Sequence, residues 1–151
     1  MWFSRKQVVK SPPDGGLPGR PGDVPPSAPR QVTTKSRGDA AEGAARAYLV
    51  GAGLRFVEAN YRTPGRGGGE IDLVMRAPDG TLVFVEVRQR SGASHGGAGG
   101  SISAAKQLRI ILAARHYLMR FASPPPCRFD VLLVQGALGQ IEWLPAAFDA
   151  S

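Results

Sequence analysis

The chain has 151 residues, of which 21% are charged, with a formal net charge of +7 and one cysteine. That length suits one domain of ordinary size, and the lone Cys127 excludes an internal disulfide and fits a reducing compartment. No apolar run approaches the roughly 18 residues of a membrane span, and Met1-Trp2-Phe3-Ser4-Arg5-Lys6 lacks the apolar stretch of a secretory signal. A cytoplasmic protein with no membrane partner is the expectation. The basic excess favours a polyanionic partner and is silent on fold.

Residues 1–36 read as a disordered, basic tail. Pro12, Pro13, Pro18, Pro21, Pro25, Pro26 and Pro29 alternate with Gly15, Gly16, Gly19 and Gly22, and large apolar residues are scarce. Such a segment cannot bury enough surface to offset its ordering entropy. Its six Lys/Arg against Asp14 and Asp23 place +4 of the +7 there, leaving +3 for residues 37–151. Those residues are the expected folded domain. Its first element is a helix over 39–52, with Asp39 as N-cap and Glu42 as the reciprocal arm of a capping box. Gly51 and Gly53 stop it. A strand from Leu54 to Tyr61 follows, then a loop over Thr63–Gly69.

Residues 70–90 read with period two as a β-hairpin. Glu70, Asp72, Val74 and Arg76 fall on one face of its first strand, and Ile71, Leu73 and Met75 on the other. Ala77-Pro78-Asp79-Gly80 is a type I turn with Gly80 at positive φ, so Ala77 pairs with Thr81. Counting back along both strands sets Asp72 opposite Glu86. Like charges facing each other across strands are destabilising, which leaves two readings. Either the face is solvated and its charges pair with Arg76, Arg88 and Arg90, or the carboxylates hold a divalent cation such as Mg²⁺.

The glycine-rich Ser91–Gly100 lacks a G-K-[ST] ending and is therefore no Walker phosphate loop; His95 stands in it without a visible partner. A long helix is expected over 101–121, capped by Ser101 or Ser103 and ended by Ser123-Pro124-Pro125-Pro126. Leu108, Ile111, Leu112, Leu118 and Met119 supply its apolar face. Lys106, Arg109, His116 and Arg120 share a stripe about 80° wide, which either is merely solvated or follows a phosphate backbone. Arg128–Val134 and Gly139–Leu144 are strands, with Trp143 and Phe148 as apolar anchors.

Several stretches together resemble the bacterial YraN family: G-D-A-A-E-G-A-A-R-A-Y-L (38–49), N-Y-R-T (60–63), G-E-I-D-L-V (69–74), V-F-V-E-V-R-Q-R (83–90), K-Q (106–107), R-F-D-V (128–131) and I-E-W-L-P-A-A-F (141–148). The resemblance spans nearly all of 37–151 and implies an α/β, restriction-endonuclease-like core. In it a central mixed sheet containing the 70–90 hairpin is flanked by helices 39–52 and 101–121. It also implies kinship with Holliday-junction resolvases, and so a metal-dependent endonuclease-like protein acting on nucleic acid, DNA in preference to RNA. Asp72 and Glu86 match the acids of the PD-(D/E)xK motif. Glu42 matches the helix acid that such nucleases bring to the metal, giving Glu42, Asp72 and Glu86 as ligands of Mg²⁺ or Mn²⁺, helped by the Val87 carbonyl.

The motif's lysine position holds Arg88, which retains charge and cannot act as a base. Asp72, Glu86 and Arg88 are thus the implied catalytic set, with Arg90, Lys106 and Arg109 as nucleic-acid contacts. Asp130 recurs in the family pattern and equally suits a structural pairing with Arg128. Resolvases of this fold are dimers, so the resemblance extends to a homodimer, although no residue here identifies its surface. Two alternatives stand beside the nuclease: a nucleic-acid-binding module of the same fold that does not cleave, and an accessory protein whose acids serve structure alone.

Overall fold

The period-two apolar runs form a single five-stranded sheet. The computed structural model describes residues 34–90, 102–136 and 140–150. Their order is α1 (Thr34–Gly51), β1 (Arg55–Arg62), β2 (Glu70–Arg76), β3 (Leu82–Arg90), α2 (Ala104–Leu118), β4 (Cys127–Gln135) and β5 (Gln140–Phe148). The expected tail through residue 33, and the glycine-rich loop with His95, lie outside the described residues.

The strands lie side by side in sequence order, β1-β2-β3-β4-β5. Neighbours are antiparallel except β3 and β4, which run parallel. A parallel pair needs a long crossover connection, and α2 lies within it. β3 and β4 are the most buried strands, and their runs Leu82–Val85 and Val131–Val134 are apolar without interruption, as burial on both faces requires. One face carries Val74, Leu82, Phe84, Phe129, Val131 and Leu133 against Ile110, Ile111, Ala113, Ala114 and Tyr117 of α2. The other carries Leu73, Met75, Val83, Val85 and Leu132 against Ala45 and Leu49 of α1. The domain is an α/β core with a mixed sheet between two helices, compatible with a restriction-endonuclease-like architecture.

The hairpin has the expected turn. The Ala77 N–H donates to the Thr81 carbonyl at 2.9 Å and the Gly80 N–H to the Ala77 carbonyl at 2.9 Å, with Gly80 at φ 91°. The register Leu73–Val85, Val74–Phe84, Met75–Val83 is the one counted from that turn. Strict alternation holds only from Leu73 onward. Ile71 packs with Val74 on the α2 side, so the period slips at Asp72, where the adjoining β1 residue Asn60 sits at φ 53°.

Both helices differ from the expectation. α1 is already helical at Thr34, so Asp39 is an interior residue and the capping box with Glu42 does not form. Thr34–Ser36, assigned by composition to the tail, belong to this helix. Its hold on the sheet comes from Ala41, Ala45 and Leu49, one residue per turn. α2 begins after Ser103, whose hydroxyl accepts from the Lys106 N–H at 3.2 Å, and ends at Leu118, ahead of the proline run.

The buried face of α2 is Ile110, Ile111, Ala113, Ala114 and Tyr117; Ile111 lies on it as expected, beside the i, i+3, i+4, i+7 run that starts at Ile110. Leu108, Leu112 and Met119 point outward, at 66%, 48% and 78% exposure. Small residues at 113 and 114 let the helix approach the sheet closely. Gly69 completes that approach, because a Cβ there would overlap the Arg109 carbonyl oxygen. β5 runs on to Phe148, beyond the expected Leu144, and Phe148 stacks on Phe129 with centroids 4.8 Å apart.

Candidate metal and nucleic-acid site

The start of β2 and the far half of β3 bring two acids together. Past the Leu73–Val85 pair, the Asp72 carboxylate replaces a backbone acceptor: its Oδ2 receives the Val87 N–H at 2.8 Å. The paired register ends at Leu73–Val85, and just beyond it Asp72 and Glu86 lie near enough for each carboxylate to feel the other's charge. Glu86 is only 8% exposed. Its alternation with Phe84 turns it toward α2, where Lys106 Nζ lies 3.4 Å from Oε1. Oε2 is buried and meets no donor among the described residues.

Burial, then the Asp72 charge, pushes the Glu86 carboxyl up from 4.5 to about 8, with Lys106 pulling the other way. Burial also raises Asp72, opposed by the Val87 N–H. Both carboxyls of the pair are thus held above their ordinary values, burial being the first cause in each. A buried carboxylate beside a half-buried one, with an oxygen lacking a donor, suits a hard divalent ion, which takes one or two protein carboxylates and fills its shell with water and phosphate oxygens.

Glu42 stands differently. α1 packs against the opposite face of the sheet, so Glu42 reaches the pair from the other side. Burial and then the Asp72 charge raise its pKa, while a hydrogen bond with Asn60 lowers it. Among the described residues no three Asp, Glu, His or Cys side chains converge closely enough to form a ready-made cage. The structure thus joins Asp72 to Glu86 and leaves Glu42 in electrostatic range.

A cleft of about 610 Å³ opens beside the pair, lined by Glu86, Arg88, Ile102, Ser103 and Lys106. Arg88, two residues after Glu86 on β3, thus faces the same cleft. Arg90 ends β3, and Arg109 is exposed one turn beyond Lys106 on α2. The other two members of the basic stripe are engaged elsewhere. His116 Nδ1 is hydrogen-bonded to the Tyr61 hydroxyl, and Arg120 lies 3.6 Å from the Tyr117 ring centroid and pairs with Glu58 at 3.5 Å.

Asp130 is structural. It is fully buried and accepts from Arg128 Nε at 3.1 Å, Trp143 Nε1 at 3.0 Å and the Ala146 N–H at 2.9 Å. It faces the α1 side, opposite to Glu86, and ties β4 to the irregular part of β5, where Ala146 has φ 49°.

Lys106 was legible as a nucleic-acid contact, but its partner was not, and Asn60 was not legible as a site residue. The Lys106–Glu86 pairing joins elements separated by the Gly-rich loop, and no periodicity links them. Asn60 carried a weak signal, since asparagine is enriched at positive φ.

Residues 41–134 match the family described as "Uncharacterised protein family UPF0102". The chain belongs to UPF0102, the YraN family. A UPF0102 protein of Polaromonas naphthalenivorans strain CJ2 is 74% identical to it, and one of Polaromonas sp. strain JS666 is 73% identical, each alignment covering the whole of both chains. A UPF0102 protein of Cupriavidus pinatubonensis is 58% identical over 78% of this chain and 88% of its own. Asp72, Glu86, Arg88, Lys106 and Asp130 all fall inside the stretch that matches UPF0102. Among the described residues no helix is long and apolar enough to cross a membrane.

Proposed function

We propose that this UPF0102 protein is a metal-dependent, endonuclease-like protein that hydrolyses phosphodiesters in DNA or branched nucleic acid. The observation that carries the reading is the Asp72–Glu86 pair. A buried and a half-buried carboxylate set beside each other, with Glu86 Oε2 lacking a donor among the described residues, cost stability that the fold has no structural need to spend. An ion held by both relieves that cost.

Asp72 and Glu86 would hold Mg²⁺ or Mn²⁺, with Glu42 contributing directly or through water. Bound there, the ion supplies phosphate polarisation and a more acidic attacking water. The chain's own residues do the rest. The Val87 N–H fixes the rotamer of Asp72. Arg88 lies in the cleft where a phosphate can be pinned bidentately, and fixed positive charge there stabilises the oxygens on which charge builds. Arg90 and Arg109 would extend the contact along the backbone of the nucleic acid.

Arg88 also favours a second reading. Arginine cannot supply a neutral amine, which suits a module that binds nucleic acid and does not cut it. Titrating Mn²⁺ into wild type and Asp72→Asn by calorimetry tests the metal: equal heats remove the proposal. Cleavage of duplex, single-stranded and four-way-junction DNA then separates the readings. Ion binding with no cleavage on any substrate moves the assignment to the binding module, and a gain of cleavage in Arg88→Lys returns it to the nuclease lineage.

A further inference from the structure

One cation paired with the acids comes from outside the strand that carries Glu86. Lys106 enters from α2, and three features of its placement are unusual. It occupies the first turn of a helix, where the backbone dipole disfavours positive charge, and that turn contains no acidic residue to offset it. Its main chain is pinned, by the Ser103 cap at 3.2 Å and by Gln107 Nε2 donating to the Ile102 carbonyl at 2.9 Å. Its side chain is nevertheless 41% exposed toward the cleft. A lysine serving only to neutralise Glu86 would be expected to sink beside it and satisfy both oxygens. Lys106 reaches Oε1 and leaves Oε2 without a donor.

We propose that Lys106 is the phosphate-binding cation of this site in place of a lysine on β3, and that it changes partners: Glu86 before a divalent ion is bound, the substrate phosphate afterwards. The proposal rests on the metal-dependent reading above. Charge balance drives the exchange. With a divalent ion between Asp72 and Glu86, both carboxylates are neutralised and the ammonium no longer has an anion to hold. A phosphodiester carries the single negative charge that restores neutrality. The four-carbon stem of lysine permits the swing from a fixed backbone position, and Ser103 and Arg88 line the same cleft into which the ammonium would turn.

The test uses Lys106→Met, with Lys106→Gln as a second, polar variant and urea unfolding to confirm that both are folded. Mn²⁺ affinity is read by calorimetry. Affinity for a short fluorescent DNA duplex is read by anisotropy, with and without Ca²⁺ in place of Mn²⁺. Removing an internal competitor for Glu86 should tighten Mn²⁺ binding about fivefold. The same change should abolish most of the ion-dependent gain in duplex affinity that wild type displays, because binding couplings are reciprocal. Mn²⁺ binding that is unchanged or weaker in folded variants, or an ion-dependent gain that persists in them, overturns the exchange while leaving the metal site standing. If wild type itself gives no Mn²⁺ heat, the metal-dependent reading fails and the exchange goes with it.

Discussion

Replacing Glu86 with glutamine probes the acid pair while keeping its shape. In the folded chain this carboxyl is held at about 8, against 4.5 for the ordinary group. A raised carboxyl binds its proton more tightly in the folded than in the unfolded chain. Its contribution to stability is therefore complete below 4.5 and is lost as pH rises through about 8. Each pH unit across that window is worth about 1.4 kcal/mol, so an isolated group would cost on the order of 5 kcal/mol at its upper end.

Asp72 titrates together with Glu86, and Lys106 offsets part of the charge. We therefore expect Glu86→Gln to stabilise the fold by about 2 kcal/mol at about pH 9 and by close to nothing at about pH 4. The glutamine keeps the shape of the side chain and removes its charge. Urea unfolding followed by far-ultraviolet circular dichroism at both pH values measures the gap directly. A variant less stable than wild type in alkali, or a gap that does not vary with pH, would refute the like-charge pair.

Three further outcomes follow from packing and charge. Gly69→Ala drives a methyl group into the Arg109 carbonyl, and lifting α2 off β2 should cost about 3 kcal/mol, seen as a lower urea midpoint. Asp130→Ala strands Arg128 and removes the acceptor for Trp143 Nε1 and Ala146 N–H; a loss of about 3–5 kcal/mol is expected, with loosening of β5 reported by hydrogen exchange. Arg109→Ala, on an exposed part of α2, should leave stability within about 0.5 kcal/mol. On the nucleic-acid reading it also reduces the salt slope of duplex binding by about one. An unchanged slope places Arg109 off the binding surface.

The hairpin was readable because its turn chemistry is local. Pro78, Asp79 and Gly80 dictate one loop length, and loop length dictates which residues face each other, so the Asp72–Glu86 adjacency could be counted before it was seen. The alternation slip at Asp72 could not be counted, since it arises with a left-handed Asn60 on another strand. α1 was misplaced because Asp39 offers a good cap, yet contacts of Ala41, Ala45 and Leu49 with the sheet favour a longer helix than local signals indicate. On α2 Ile111 and Leu118 pack against the sheet as expected, while the other three large apolar residues misled. Leu108, Leu112 and Met119 are hydrophobic but off the period, whereas Ala113 and Ala114 are buried because a close approach needs small side chains. Lys106 could be placed on a basic stripe and not beside Glu86, since only the three-dimensional crossover brings the start of α2 to the end of β3.

The seat of α2 over Gly69 is a contact of main chain with main chain. A helix anchored in this way keeps its height and rotation whatever decorates its outer side. Leu108, Leu112 and Met119 can accordingly be exchanged for charged residues, a dye or a tether without moving Lys106, and α2 becomes a handle for immobilising the protein with its cleft unobstructed.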